Sequence, residues 1–281
     1  MMINFERQKY TFSISKKLYL CEFSQIRKKM KNKALFVAFV AFMFVASCYA
    51  QVPAIEMVHV QGGEFLMGCT DKHSDCSVNE APAHPVKLSG YYIAKYEVTQ
   101  ELWMAVMGGK NPSKVIGDSL PITGVSWYDA QTFIGKLNQL TGKKYRLPTE
   151  AEWEFAARGG NLSHHYKFSG SNTLEDVAWC NNNSGNKPHV VGTKQPNELG
   201  IYDMTGNVYE WCSDGFDLYE WNSSVPLENP TGYNLSETKV YRGGGMTSYW
   251  DVCRVSARAQ SIPNRSFNHV GFRLALDESS K

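Results

Sequence analysis

The sequence has little net charge, which limits the partners that it can bind through charge alone. It contains 29 Lys and Arg residues against 27 Asp and Glu residues, a formal net charge of +2 over 281 residues. Past its first 50 residues it has no basic stripe of the kind that follows a phosphate backbone. We therefore expect no nucleic-acid partner.

Several other signatures are absent from the sequence. No two cysteines are spaced as Cys-x-x-Cys, which argues against a zinc site. No internal repeat, low-complexity tract or linker interrupts the chain. The length suits one large domain. We predict a leader over residues 1–50 and a single domain over residues 51–281, with its folded body at roughly 52–277.

The N-terminal residues are typical of a secretory signal peptide. Four lysines, at positions 28, 29, 31 and 33, precede an apolar run over residues 34–45 that is too short to span a membrane comfortably. Small residues follow it. Cleavage before Cys48 would leave a lipidated cysteine, and cleavage after Ala50 would release a soluble protein. Either product is exported to the periplasm, the cell surface or the medium, and contacts a membrane only through a lipid on Cys48.

Five cysteines remain past the leader, and export permits disulfides. Cys69 and Cys76 close a short polar loop and are the predicted bridge. Cys180, Cys212 and Cys253 leave an odd number, so one of them is free or buried as a small apolar side chain.

The segment around Trp153 predicts a short helix that organises the domain. Thr149 is an N-cap residue, Glu152 completes a capping box, and Gly159 supplies a left-handed stop. Trp153 is expected in the core. Two further helices are predicted after Thr99 and Ser126, a hairpin over residues 55–67, and a strand over residues 86–96. After residue 160 regular structure becomes sparse.

Eight phrases occur in an order that resembles the formylglycine-generating enzyme family, the sulfatase-modifying-factor domain. They are GEFLMG (63–68), YEVT (96–99), VSWYDA (125–130), RLPTEAEWEFAARGG (146–160), PNELGIYDM (196–204), GNVYEW (206–211), RGG (242–244) and GFRL (271–274). The resemblance implies an α+β, C-type-lectin-like fold in a single domain with much irregular structure.

The resemblance also implies structural calcium. By position, the ligands would be the side chain of Asn197 and the main-chain oxygens of Glu198, Gly200 and Tyr202, and oxygen ligands of mixed type suit calcium. The alternative is an ordinary Asn/Gly turn.

Enzymes of this family oxidise a sulfatase cysteine in a Cys-x-Pro-x-Arg motif, using oxygen and copper held by two cysteines. Here the two cysteine positions fall near Ser248 and Trp250, and Cys253 aligns with neither. Serine and tryptophan do not supply the thiolates that select Cu(I). We therefore expect no copper and no formylglycine-generating activity; an oxidoreductase with a rearranged site is the alternative.

The remaining candidate is a binding surface between the RGG and GFRL phrases. Aromatic residues mixed with small polar ones are typical of antibody-like contact surfaces. The predicted ligand-binding residues are Ser248, Tyr249, Trp250, Arg254, Phe267 and His269, and the ligand is a protein or a glycan. This placement resembles the variable segment of lectin-fold receptors diversified by retroelements. Ordinary loop packing, or a place in a surface assembly, remains the alternative.

Overall fold

The computed structural model describes residues 52–70, 76–219, 225–232 and 235–280. The predicted leader, its cleavage sites and the lipid position Cys48 lie outside these residues. From Val52 onward the chain forms one compact unit. Within the described ranges, no helix combines the length and apolar character needed to cross a membrane.

Short helices and short strands share this unit, which is an α+β architecture. The α-helices are α1 (Gln100–Met107), α2 (Trp127–Thr141), α3 (Glu150–Ala157) and α4 (Leu174–Val177). The strands are β1 (Met57–Val60), β2 (Gly63–Met67), β3 (His84–Leu88), β4 (Tyr91–Ala94), β5 (Tyr209–Gly215), β6 (Leu227–Glu228), β7 (Lys239–Arg242), β8 (Arg258–Ser261), β9 (Val270–Gly271) and β10 (Ala275–Asp277). Between α3 and β5 the chain has only α4 and one 3₁₀ turn, so regular structure is sparse there, as predicted.

The strands form three small sheets. Their orders are β1-β4-β10, β2-β3-β6 and β8-β7-β5-β9. The pairs β3–β6 and β5–β9 are parallel, and the other pairs are antiparallel. The last sheet carries the segments on either side of the predicted binding surface.

Two strand predictions were wrong, one in its pairing and one in its continuity. The predicted hairpin over residues 55–67 is two strands of different sheets, because β1 pairs with β4 and β2 pairs with β3. The predicted strand over residues 86–96 is also divided, into β3 and β4. The divide falls where two chain segments approach closely: a Cβ on Gly62 would lie 2.5 Å from the Leu88 oxygen. Local alternation does not contain this tertiary contact.

The helix starts agree with the capping prediction. Thr149 accepts a hydrogen bond from the Glu152 amide at 3.1 Å, and Glu152 accepts one from the Thr149 amide at 2.9 Å. Ser126 and Asp129 cap α2 in the same reciprocal way, whereas at α1 only the Thr99 hydroxyl accepts, from the Leu102 amide. Gly159 has a φ of +90°, which is the left-handed stop expected after α3.

Trp153 is in the core, as predicted, and its side chain is fully buried. Its indole nitrogen donates to a Glu210 carboxylate oxygen at 2.7 Å. The same carboxylate accepts from Arg273 Nε and Nη2, both at 2.6 Å, and both of these charged residues are fully buried. The tryptophan thus contributes apolar area and also completes the hydrogen bonding of a buried ion pair.

Replacing Trp153 by alanine should lower the free energy of unfolding by about 3–5 kcal/mol, because it opens a core cavity and removes a bond to Glu210. Urea denaturation would measure the change. Trp250→Ala is the matched control, since that indole is 45% exposed; equal losses in the two variants would contradict the assigned core role.

Candidate functional site

The loop over residues 246–253, which we call the contact loop, is held at its base by hydrogen bonds. The Met246 amide donates to the Asn207 carbonyl oxygen at 2.7 Å. The Ser248 hydroxyl accepts from the Gly245 amide at 3.0 Å and donates to the Tyr209 hydroxyl at 3.2 Å. Ser248 is buried. It therefore fixes the loop from below and is not itself on the surface.

The top of the contact loop exposes apolar side chains. Tyr249, Trp250 and Val252 are 63%, 45% and 39% exposed. The last two belong to a 3₁₀ turn, Trp250–Val252, so their backbone is regular. The ammonium group of Lys167 lies 4.1 Å from the centre of the Trp250 ring, a cation–π contact that orients the indole.

A second aromatic group lies beside the loop base. The Tyr209 ring contacts His269 at 5.8 Å and Tyr241 at 5.0 Å between centroids, and Phe267 contacts His269 at 5.4 Å. Phe267 and His269 are half-buried. Burial lowers the pKa of His269 and raises the pKa of Tyr209 to about 12. Both side chains are thus neutral near pH 7, and this group offers ring surface with polar edges.

Arg254 lies beneath the contact loop. Its guanidinium donates to both carboxylate oxygens of Glu80, at 2.6 and 2.7 Å, and the two side chains are buried. Its Nε donates to the Asp251 carbonyl oxygen at 2.8 Å. The structure therefore does not bring Arg254 to the exposed side with Tyr249 and Trp250; it joins the loop to the segment after the disulfide.

The predicted disulfide between Cys69 and Cys76 is present. The Cys69 amide donates to the Glu80 carbonyl oxygen at 2.8 Å. Because Glu80 in turn binds Arg254, and Arg254 also contacts the Cys76 sulfur at 3.6 Å, the disulfide-closed loop is held against Arg254 at the base of the contact loop.

The two residues that the resemblance sets nearest to the copper-binding cysteine positions carry no thiol. Ser248 presents a bonded hydroxyl, and Trp250 presents an exposed indole. This donor set does not fit copper held by two cysteines. Cys253 is buried, and its pKa is raised to about 12, first by burial and then by the neighbouring Cys180. The sequence did not predict that neighbour, because Cys180 is far away along the chain; the odd cysteine count was its only signal.

The predicted calcium loop is closed by its own hydrogen bonds. The Asn197 carboxamide oxygen accepts from the Leu199 and Ile201 amides at 3.0 and 3.1 Å. The Tyr202 carbonyl oxygen accepts from Arg273 at 2.9 Å. The Asn197 oxygen thus already accepts from two amides, and the Tyr202 oxygen faces the Arg273 guanidinium. The predicted ligand set, which also includes Glu198 and Gly200, therefore does not fit calcium in this arrangement. Among the described residues, no group of three or more His, Cys, Asp and Glu side chains is placed to hold a metal.

Comparison with known proteins places the chain among related sequences. The family model described as "Sulfatase-modifying factor enzyme 1-like domain" matches residues 45–278. Chaperone protein LppX of Paenibacillus barcinonensis is 34% identical over 72% of this chain and 82% of its own length. The formylglycine-generating enzyme of Streptomyces coelicolor is 29% identical, over 78% of this chain and 88% of the enzyme.

Two more proteins extend the comparison. The serine/threonine-protein kinase pkn1 of Chlamydia pneumoniae is 32% identical over 78% of this chain, and the match spans only 38% of the kinase's length. Among solved structures, Treponema denticola variable protein 1 matches with a TM-score of 0.72 and 33% identity, covering 81% of this chain and 97% of that one.

Because the Asn197 loop is closed by hydrogen bonds, chelation should leave the stability unchanged. The melting temperature measured with EDTA should agree with that measured in calcium within about 1 °C. Asn197→Ala should cost about 2–3 kcal/mol in both buffers, since it removes a buried side chain that donates to Ala156 and Ser169 and accepts from two amides.

The matched control for that experiment is Asn182→Ala, at an exposed position. A calcium-dependent rise in melting temperature that Asn197→Ala abolishes and Asn182→Ala retains would instead identify this loop as a calcium site.

Proposed function

The chain belongs to the sulfatase-modifying factor enzyme 1-like family, and we propose that within this family it is a non-catalytic binding protein whose contact loop takes a protein or glycan ligand. The predicted C-type-lectin-like formylglycine-generating-enzyme fold is confirmed. The proposal places the protein outside the cytoplasm, in the periplasm, at the cell surface or in the medium, with attachment to a membrane only through a lipid on Cys48.

The observation that carries the proposal is the contrast between the top and the base of the contact loop. Tyr249 and Trp250 are 63% and 45% exposed, whereas Ser248 and Arg254 beneath them are 6% and 3% exposed. Large aromatic side chains have few rotatable bonds, so little conformational entropy is lost when they contact a ligand. A rigid base with exposed rings is the arrangement that binding loops use.

The rings stand among groups that can hydrogen-bond a ligand, and one of them, the exposed Asp251 on the same turn, is charged. Thr247, Tyr249 and Trp250 are exposed on the loop. The charged neighbour Lys167 is directed at the Trp250 ring, where its charge is partly shielded. Protein side chains and sugar hydroxyls both match a surface of rings and small polar groups.

The names of the similar proteins include both non-enzymatic proteins and an enzyme. One relative is named a chaperone protein, and one solved structure is named a variable protein. Another relative is named a formylglycine-generating enzyme. That similarity is the reason to test the second candidate, an oxidoreductase with a rearranged site.

A test of binding can use a displayed peptide library and a glycan array as probes. Ligands recovered with the native chain should lose at least about tenfold in affinity for Tyr249→Ala/Trp250→Ala, which corresponds to about 1.4 kcal/mol. Tyr128→Ala is the control, because Tyr128 is an exposed ring, at 54%, on α2. Ligands that bind the loop variant as well as the native chain would contradict the proposal.

A separate assay tests for enzyme activity. The purified chain is incubated with a Cys-x-Pro-x-Arg peptide, copper and oxygen, and the peptide is examined by mass spectrometry and by hydrazide capture of aldehydes. We expect the cysteine to remain unchanged, because Ser248 and Trp250 supply no thiolate. A formylglycine-generating enzyme run in parallel confirms that the assay works, and aldehyde formation by this chain would establish the oxidoreductase instead.

A further inference from the structure

Cys180 and Cys253 come from distant parts of the sequence but lie in one small apolar cluster. Its buried members are Phe168, Leu174, Val177, Ala178, Cys180 and Cys253. Both thiols are free, and their residues are 1% and 0% exposed. The third free thiol of the described residues, Cys212, is equally buried but belongs to a different cluster, the one around Trp153.

Hydrogen bonds align the two segments that carry these cysteines. The Asn181 amide donates to the Ser248 carbonyl oxygen at 3.0 Å. The Ser184 hydroxyl donates to the Met246 carbonyl oxygen at 2.6 Å. The residues directly after Cys180 are therefore fixed against the contact loop, which ends at Cys253.

Two glycines allow the close approach. A Cβ on Gly244 would lie 2.6 Å from the Cys253 sulfur, and a Cβ on Gly206 would lie 2.5 Å from the Trp179 oxygen. The Gly206 amide donates to the Gly243 oxygen at 2.8 Å, so these two positions belong to one crossing of the chain. Both cysteines are held close to this crossing because neither glycine carries a side chain.

We propose that Cys180 and Cys253 form a second disulfide, which covalently joins the end of the contact loop to the segment that contains Cys180. With oxidised glutathione as oxidant, one cysteine thiolate attacks the glutathione disulfide and releases one glutathione thiolate. The other cysteine then displaces the second glutathione, so two electrons and two protons pass to glutathione. Because neither sulfur is exposed, the exchange takes place during folding or when the loop opens. This inference does not depend on the proposed function.

The bridge would stabilise the contact loop where ligand contact is proposed. A disulfide between distant cysteines removes entropy from the unfolded chain. It would also oppose opening of the turn that carries Trp250, since Cys253 directly follows that turn. In the reduced form the same loop retains its hydrogen bonds, the Arg254–Glu80 ion pair and the contact between Lys167 and Trp250.

The experiment is a peptide map of the full chain, refolded in a buffer of oxidised and reduced glutathione. After acid quench and alkylation, a non-reducing digest should contain a peptide with Cys180 linked to a peptide with Cys253, and Cys212 should be alkylated. The native protein itself supplies this result, so it does not depend on how any variant folds.

Variants then isolate the effect of the bridge. Under oxidising conditions Cys180→Ser should melt about 5–10 °C below the native chain, and the difference should largely vanish after reduction. Cys212→Ser should keep the linked peptide. Finding Cys180 and Cys253 both alkylated after oxidative refolding, or either one linked to Cys212, would overturn the proposal.

Discussion

A fully buried ion pair between Glu210 and Arg273 is the interaction on which the rest of the structure depends. Burying two charges is costly unless every polar atom finds a partner. Here Arg273 binds both carboxylate oxygens and also donates to the carbonyl oxygens of Ala94 and Tyr202, while Trp153 completes the carboxylate. The pair therefore fixes β4, β5, α3 and the segment after β9 in one arrangement. The irregular loops between these elements can be long because the elements at their ends are fixed.

A second set of buried ion pairs connects the core to the contact loop. Glu154 lies in ion pairs with Arg158 and Arg242, and Arg158 also donates to the Gly68 carbonyl oxygen. The next residue is Cys69, and the disulfide-closed loop leads to Glu80 and so to Arg254. The exposed rings consequently stand on a base of buried, ion-paired charged groups, and loops on such a rigid base tolerate changes in their outer side chains.

The sequence predicted the parts of this structure that local chemistry determines. Caps at Thr149 and Ser126 marked the helix starts, and the short spacing of Cys69 and Cys76 indicated their bridge. Strand partners were not predictable, because alternation of side chains does not say which strand lies alongside. The burial of Arg254 and the nearness of Cys180 to Cys253 were hidden for the same reason, since both follow from contacts between distant segments. The hydrogen bonds that the Asn197 side chain accepts from the Leu199 and Ile201 amides were likewise not visible in the sequence.

The first and last strands flank the same neighbour, because β1 and β10 both pair with β4. Adjacent strands are spaced by about 4.8 Å, so Met57 and Asp277 lie within roughly 15 Å of one another, on opposite sides of β4. A domain whose first and last described strands lie in the same sheet can be inserted into a longer polypeptide without a large rearrangement of the flanking chain. The kinase pkn1 of Chlamydia pneumoniae, which matches this chain over only 38% of its own length, is one longer polypeptide that contains a similar segment.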